Sequence, residues 1–124
     1  MALGTGVGAG FVQNGRIWAG RKGEYPRVND LPAPSGKSYE ELLGGIHLKA
    51  ADDEAKASAR AALHGATKAV RDLYFPDEVV VSGAVGLSDW MQPELESLGL
   101  KASPFGPDAG LYGAAALVLY PGWR

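Results

Sequence analysis

Ala2-Leu3-Gly4-Thr5-Gly6-Val7-Gly8-Ala9-Gly10-Phe11-Val12 runs without pause into Gln13-Asn14-Gly15-Arg16-Ile17-Trp18, and the reading of this stretch decides the fold. Glycine at 4, 6, 8 and 10 leaves alternate backbone positions without side chains, so a bulky anion such as a phosphate can approach the amides closely. Thr5 supplies a hydroxyl at the same place. A dinucleotide or Walker-type loop must open a helix, whereas here β-branched and aromatic residues lead into Asn14-Gly15, a strong signal for a two-residue hairpin. The stretch reads as a phosphate-approach loop built into the first strand of a hairpin, with residues 6–12 and 15–19 as its arms.

Two competing motifs fail. G-x-G-x-x-G fits only with Ala9 in the last place, after Gly4 and Gly6, and the helix it requires is missing. Ser35-Gly36-Lys37-Ser38 imitates the end of a Walker A loop, yet Leu31 stands where its first glycine belongs, and Pro32 and Pro34 occupy the loop between.

The 124 residues have the length of one domain, 1–124, large enough to bury a core without staples. Cysteine is absent, which excludes disulfides and thiolate metal sites and fits a reducing compartment. A formal charge of −2 with dispersed lysines and arginines points to neither a nucleic-acid nor a membrane surface. No apolar run approaches the ~20 residues that span a bilayer, so a cytoplasmic location is expected. A domain that opens so close to its most specialised loop is expected to be part of something longer.

Farther along, Gly20 to Gly23 turns the chain and Glu24 to Leu31 can supply a third, antiparallel strand, confined to an edge or bulge by Pro26. Ser38 and Glu41 have the capping-box spacing for a short helix to Leu43, ended by Gly44-Gly45. Asp52-Asp53 opens the longest helical segment, in which Ala55, Ala59, Ala62, Leu63, Ala66, Val70 and Leu73 recur at three- and four-residue steps down to Tyr74. After Pro76, Val79-Val80-Val81 reads as a strand covered on both faces, leaving into the small-residue turn Ser82-Gly83-Ala84-Val85-Gly86. Ser88 or Asp89 is expected to cap a helix carrying Trp90, Met91, Leu95 and Leu98, followed by a short strand around Leu100 to Ala102. Asp108 is expected to cap the last helix, where Leu111, Ala114, Ala115, Val118 and Leu119 form one apolar stripe. The order βββααβαβα predicts an α/β domain with a mixed five-stranded sheet and helices on both faces.

These blocks, Leu3 to Gly10 with Asn14-Gly15-Arg16, Val79 to Val85, and Ser103 to Ala116, stand in an order that resembles one lobe of the actin-like ATPase and sugar-kinase superfamily, an RNase H-like fold. The similarity is greatest to the carboxy-terminal lobe of the ROK family of repressors and glucokinase-like hexose kinases. The resemblance implies that Gly4, Thr5 and Gly6 meet the terminal phosphates of ATP with its Mg, and that Gly83, Ala84 and Val85 form the turn beside the nucleoside. It makes Glu24 and Glu40 the sugar-binding carboxylates, while Arg27 and Ser38 replace a histidine and a cysteine that hold zinc in the family, so no zinc or other metal site is implied. His47 and His64 lie elsewhere, and lone histidines without partner ligands seldom bind metal.

The resemblance also implies what this chain lacks. The amino-terminal lobe of the family supplies the first phosphate loop and the aspartate that acts as base on the sugar hydroxyl, and neither is present here, so no catalytic residue is assigned. The expected function is the ATP- and sugar-binding lobe of a hexose kinase, inactive without its other lobe. Two alternatives stand beside it: the effector lobe of a sugar-responsive regulator, and a self-associating half-domain. Its expected partners are ATP, a hexose, and either the absent lobe or a second copy in a homodimer, since large exposed apolar faces tend to become interfaces.

Overall fold

The computed structural model describes residues 1–48 and 50–123. Its strands are short and pair locally. β1 (Ala2–Leu3) lies antiparallel to β2 (Val7–Gly8), with Leu3 opposite Val7, so Gly4-Thr5-Gly6 is the turn between them. β3 (Val12–Gln13) and β4 (Arg16–Ile17) form the hairpin around Asn14-Gly15, where both central residues have positive φ, 53° and 73°, as a type I′ turn needs. The expected first strand is thus broken in two. Its early part pairs backwards with β1 and its late part forwards with β4, because the alternate glycines offer no side chains for a continuous cross-strand face.

The expected third strand over Glu24 to Leu31 is absent. Gly20 N–H donates to the Glu24 carbonyl at 2.7 Å, closing a tight loop, and Val28–Asp30 turns as a 3₁₀ helix. Pro26, which has no N–H to give a ladder, is buried there.

The helices between residues 39 and 74 follow the local signals closely. α1 (Tyr39–Leu43) begins with a complete capping box: the Ser38 hydroxyl accepts from Glu41 N–H at 3.2 Å, and the Glu41 carboxylate accepts from Ser38 N–H at 2.8 Å. Gly44 ends it, and α2 (Gly45–Leu48) follows at once. α3 (Asp53–Tyr74) is capped by Asp52, whose carboxylate accepts from Ala55 N–H at 2.8 Å. Phe75, left-handed at φ 47°, terminates it ahead of Pro76. The buried face of α3, Ala59, Ala62, Leu63, Ala66, Thr67 and Val70, follows the expected period with Thr67 added, whereas Ala55 is half-buried and Leu73 is 58% exposed. Gly65 receives the buried Tyr39 ring of α1, since a β-carbon there would stand 2.5 Å from the Tyr39 hydroxyl.

β5 (Val80–Val81) runs parallel to β6 (Lys101–Ala102), with α4 (Gln92–Ser97) between them in sequence. Val81 is fully buried but Val80 is 39% exposed, so this strand is covered on one face, not two. α4 starts later than expected, with neither Ser88 nor Asp89 as its cap, because Pro93 lacks an N–H and fits only the first turn. The His64 ring nitrogen of α3 meets the Glu94 carboxylate of α4 at 2.5 Å.

A single parallel bridge, Ala2 with Ser82, joins the β1–β2 pair to β5. The described residues therefore hold three two-stranded sheets, and the expected five-stranded sheet is not formed. Leu3, Leu43, Leu63, Val81 and Met91 meet in one core beneath this junction.

α5 (Ala109–Leu119) departs furthest from expectation. It buries no residue, and its stripe faces outward, with Leu111, Val118 and Leu119 each more than 70% exposed. Asp108 precedes it but makes no side-chain cap.

Candidate functional site

The glycine turn is pinned through its carbonyls. Leu3 O accepts from Val85 N–H at 2.9 Å and Gly86 N–H at 3.2 Å, Gly4 O from Gly45 N–H at 2.7 Å, and Thr5 O from Ile46 N–H at 3.0 Å. In a trans peptide the N–H points opposite to the C=O of the same unit. Fixing Gly4 O and Thr5 O against α2 therefore turns the Thr5 and Gly6 amides away from it. Among the described residues these two amides have no acceptor, and the exposed Thr5 hydroxyl has no hydrogen-bond partner. Adjacent unsatisfied backbone donors form an anion-binding concavity.

Three segments distant in sequence build this place. A β-carbon on Gly83 (φ 89°) would collide with the Leu3 carbonyl and lie 2.8 Å from Gly4 N, so the 83–86 turn sits directly on the loop. Gly45 is as confined, with Gly4 O 2.6 Å from the position of a β-carbon and Val85 Cγ2 at 3.2 Å. Glu40, in the first turn of α1, accepts from Val7 N–H at 2.8 Å, and its other oxygen lies over Gly6. The structure thus brings together Gly4, Thr5, Gly6, Gly83, Val85 and Glu40, with Ala84 exposed at the edge of the turn.

Glu24 stands apart from that group. Its carboxylate accepts from Lys22 N–H at 2.8 Å and packs on Gly20, within its own loop. Arg27 pairs with Asp30. No hydrogen bond or ion pair joins the Glu24 loop to Glu40 among the described residues. His47 lies at the end of α2, His64 is engaged by Glu94, and no group of three or more His, Cys, Asp or Glu side chains suited to a metal occurs among the described residues.

The sequence pattern marks Gly44-Gly45 only as a helix end. Gly44 does close α1, donating to Glu40 O, but the amides of Gly45 and Ile46 fix the loop, and the available signal is a Gly-Gly pair immediately behind a fully capped helix.

A cleft of about 620 Å³ lies elsewhere, lined by Phe11, Val28, Val70, Tyr74 and Val79. Its charged groups are the Asp77 and Glu78 carboxylates, the latter paired with Lys101, and the Met1 amino group, which donates to Val80 O at 2.6 Å. No helix among the described residues is long and apolar enough to cross a membrane.

No protein-family model and no curated protein matches the chain. Solved structures do. A protein of Cytophaga hutchinsonii, assigned by name as a sugar kinase, superposes with a TM-score of 0.73 over 95% of this chain at 20% identity. A ROK family protein of Streptococcus pneumoniae, solved in complex with sucrose, gives 0.69 over 98% at 18% identity. The chain spans 56% and 58% of those two structures, respectively. Its fold is similar to that of sugar-kinase and ROK proteins, an α/β fold.

Proposed function

We propose that this chain is the nucleotide- and sugar-binding lobe of an ATP-dependent, glucokinase-like hexose kinase of ROK type, with no phosphoryl transfer of its own. The observation that carries the reading is the turn 4–6, whose carbonyls are tied inward while the Thr5 and Gly6 amides and the Thr5 hydroxyl stay available.

The residues present fit a nucleotide polyphosphate. Gly4 has nothing within 4 Å of where a β-carbon would stand, so a phosphate meets backbone there. Gly83, Ala84 and Val85 offer a low wall beside the loop for the nucleoside. Glu40, a carboxylate next to Gly6, disfavours a bare anion, so the polyphosphate is expected to enter with Mg. The cation supplies neutralisation of phosphate charge when bound.

Within this reading the chain holds and orients the donor, and Glu24 and Glu40 are assigned to the hexose. Transfer needs donor and acceptor in line and a base on the hydroxyl. No residue of this chain is assigned as that base.

Calorimetric titration of the chain with Mg·ADP, then with a hexose, tests the proposal. Saturable Mg·ADP binding that weakens about tenfold in Thr5→Val supports it, a loss on the scale of one hydrogen bond to a charged group. Equal binding by Thr5→Val, or none by the native chain, overturns the nucleotide assignment. Hexose binding unaffected by Glu24→Gln removes Glu24 from the sugar site.

A further inference from the structure

The cleft of about 620 Å³ has two backbone walls, residues 9–14 and residues 77–80, and Met1 also lines it. Each wall is a strand edge whose opposite side is already paired. Phe11 O accepts from Trp18 N–H at 2.7 Å across the β3–β4 hairpin, so Gly10 and Val12, its alternates along an extended strand, turn their N–H and C=O the other way. Val79 O and Val81 O accept from Lys101 N–H at 3.0 Å and Ser103 N–H at 2.7 Å, so Glu78 and Val80 likewise turn away from β6. Gly10 N–H has no acceptor among the described residues.

β1 already runs between these two edges. Ala2 lies opposite Gly8 on one side and bridges Ser82 on the other; Ser82 N–H donates to Met1 O at 2.9 Å, and the Met1 amino group donates to Val80 O at 2.6 Å. Continued backwards in the same register, the four positions ahead of Met1 fall opposite Gly10 to Gln13 on one side and Val80 to Asp77 on the other. Those residues are the walls of the cleft.

We propose that the cleft is a strand-acceptor site, filled by an extended segment of polypeptide that leads into Met1 and prolongs β1 by four residues. Its backbone accepts from Gly10 N–H and Val80 N–H and donates to Glu78 O, joining the β3–β4 hairpin to β5 and β6. Continuity with β1 distinguishes this occupant from a strand of another molecule. Burial holds the Met1 amino group below its ordinary pKa of 8.0, and a peptide N–H fills the same ladder position without burying a charge. The second residue ahead of Met1 lies between Phe11 and Val79, above Val28, Val70 and Tyr74, which calls for an apolar side chain.

The proposal does not rest on the nucleotide reading, because its test is read without ligand. Chains carrying Thr-Val-Val-Thr, Thr-Val-Asp-Thr or Thr-Val-Pro-Thr ahead of Met1 are compared with the native chain by amide hydrogen exchange. The first should slow exchange at Gly10 and Val80 at least about tenfold. The second, with a carboxylate over the apolar floor, and the third, with no N–H for Glu78 O, should leave it near the native rate. Acetyl-Thr-Val-Val-Thr-amide added separately at about 1 mM should protect neither amide, since it lacks the effective concentration that continuity supplies. No protection from the first extension, or equal protection from all three, overturns the proposal. Equal protection by the free peptide also overturns it, and assigns the cleft to a strand from another chain.

Discussion

Gly83 and Thr5 separate what the loop needs to fold from what it offers to a ligand. Gly83 is at φ 89° with its α-carbon against the Leu3 carbonyl, so Gly83→Ala meets both backbone strain and a collision. A loss of about 1–3 kcal/mol is expected in urea unfolding, together with loss of ligand binding. Thr5 is exposed and its hydroxyl is unused within the chain, so Thr5→Val should shift stability by no more than about 0.5 kcal/mol while weakening Mg·ADP. Glu40→Ala removes the acceptor of Val7 N–H and should cost about 1–2 kcal/mol, read in the same unfolding assay. At this scale the sequence showed the glycines and the hydroxyl plainly. It did not show that Glu40 faces the loop while Glu24 turns back on its own, because that difference is set by contacts 33 residues apart for Glu40 and two apart for Glu24.

Among the elements, the ones legible in the sequence are those whose signals are local. Asn14-Gly15, the Ser38–Glu41 box and the Asp52 cap each determine structure within four residues, and each formed as its pattern indicates. Ser38→Ala is expected to lose about 1 kcal/mol. The Glu41 carboxyl is held below its ordinary value of 4.5, first by the Ser38 N–H and then by the Ser38 hydroxyl. Since its folded pKa lies below the unfolded one, the cap's contribution is complete above pH 4.5 and is lost as pH falls through the folded value. Helicity of α1, followed by amide exchange or NMR, should fall in acid below that point, and Glu41→Gln should flatten the dependence. In α3, Leu63 is fully buried, and Leu63→Ala should destabilise by about 2–5 kcal/mol. Strands were less legible. Glu24 to Leu31 has strand-like composition in part, but its backbone bonds close on themselves, and no local pattern distinguishes that loop from an edge strand.

Across the whole molecule, strand pairing and helix docking are non-local, and the sequence pattern specifies them weakly. Element order alone predicts a five-stranded sheet. The described residues instead form three two-stranded pairs, two of them joined by the Ala2–Ser82 bridge, because the glycine run ends β1 and β2 after two residues each and Gly83 ends β5. The stripe on α5 was legible as a stripe but not in its direction, since periodicity marks an apolar face without saying what covers it. The convergence of the 4–6 turn, the 83–86 turn and Glu40 is likewise a property of the folded chain. It is also the basis of the functional reading. The most direct measurement is a backbone amide NMR titration of the chain with Mg·ADP. The largest shifts should fall on Thr5 and Gly6, with smaller ones at Gly83 to Val85. Shifts confined to the cleft between Phe11 and Tyr74, or no shifts at all, would contradict the functional reading.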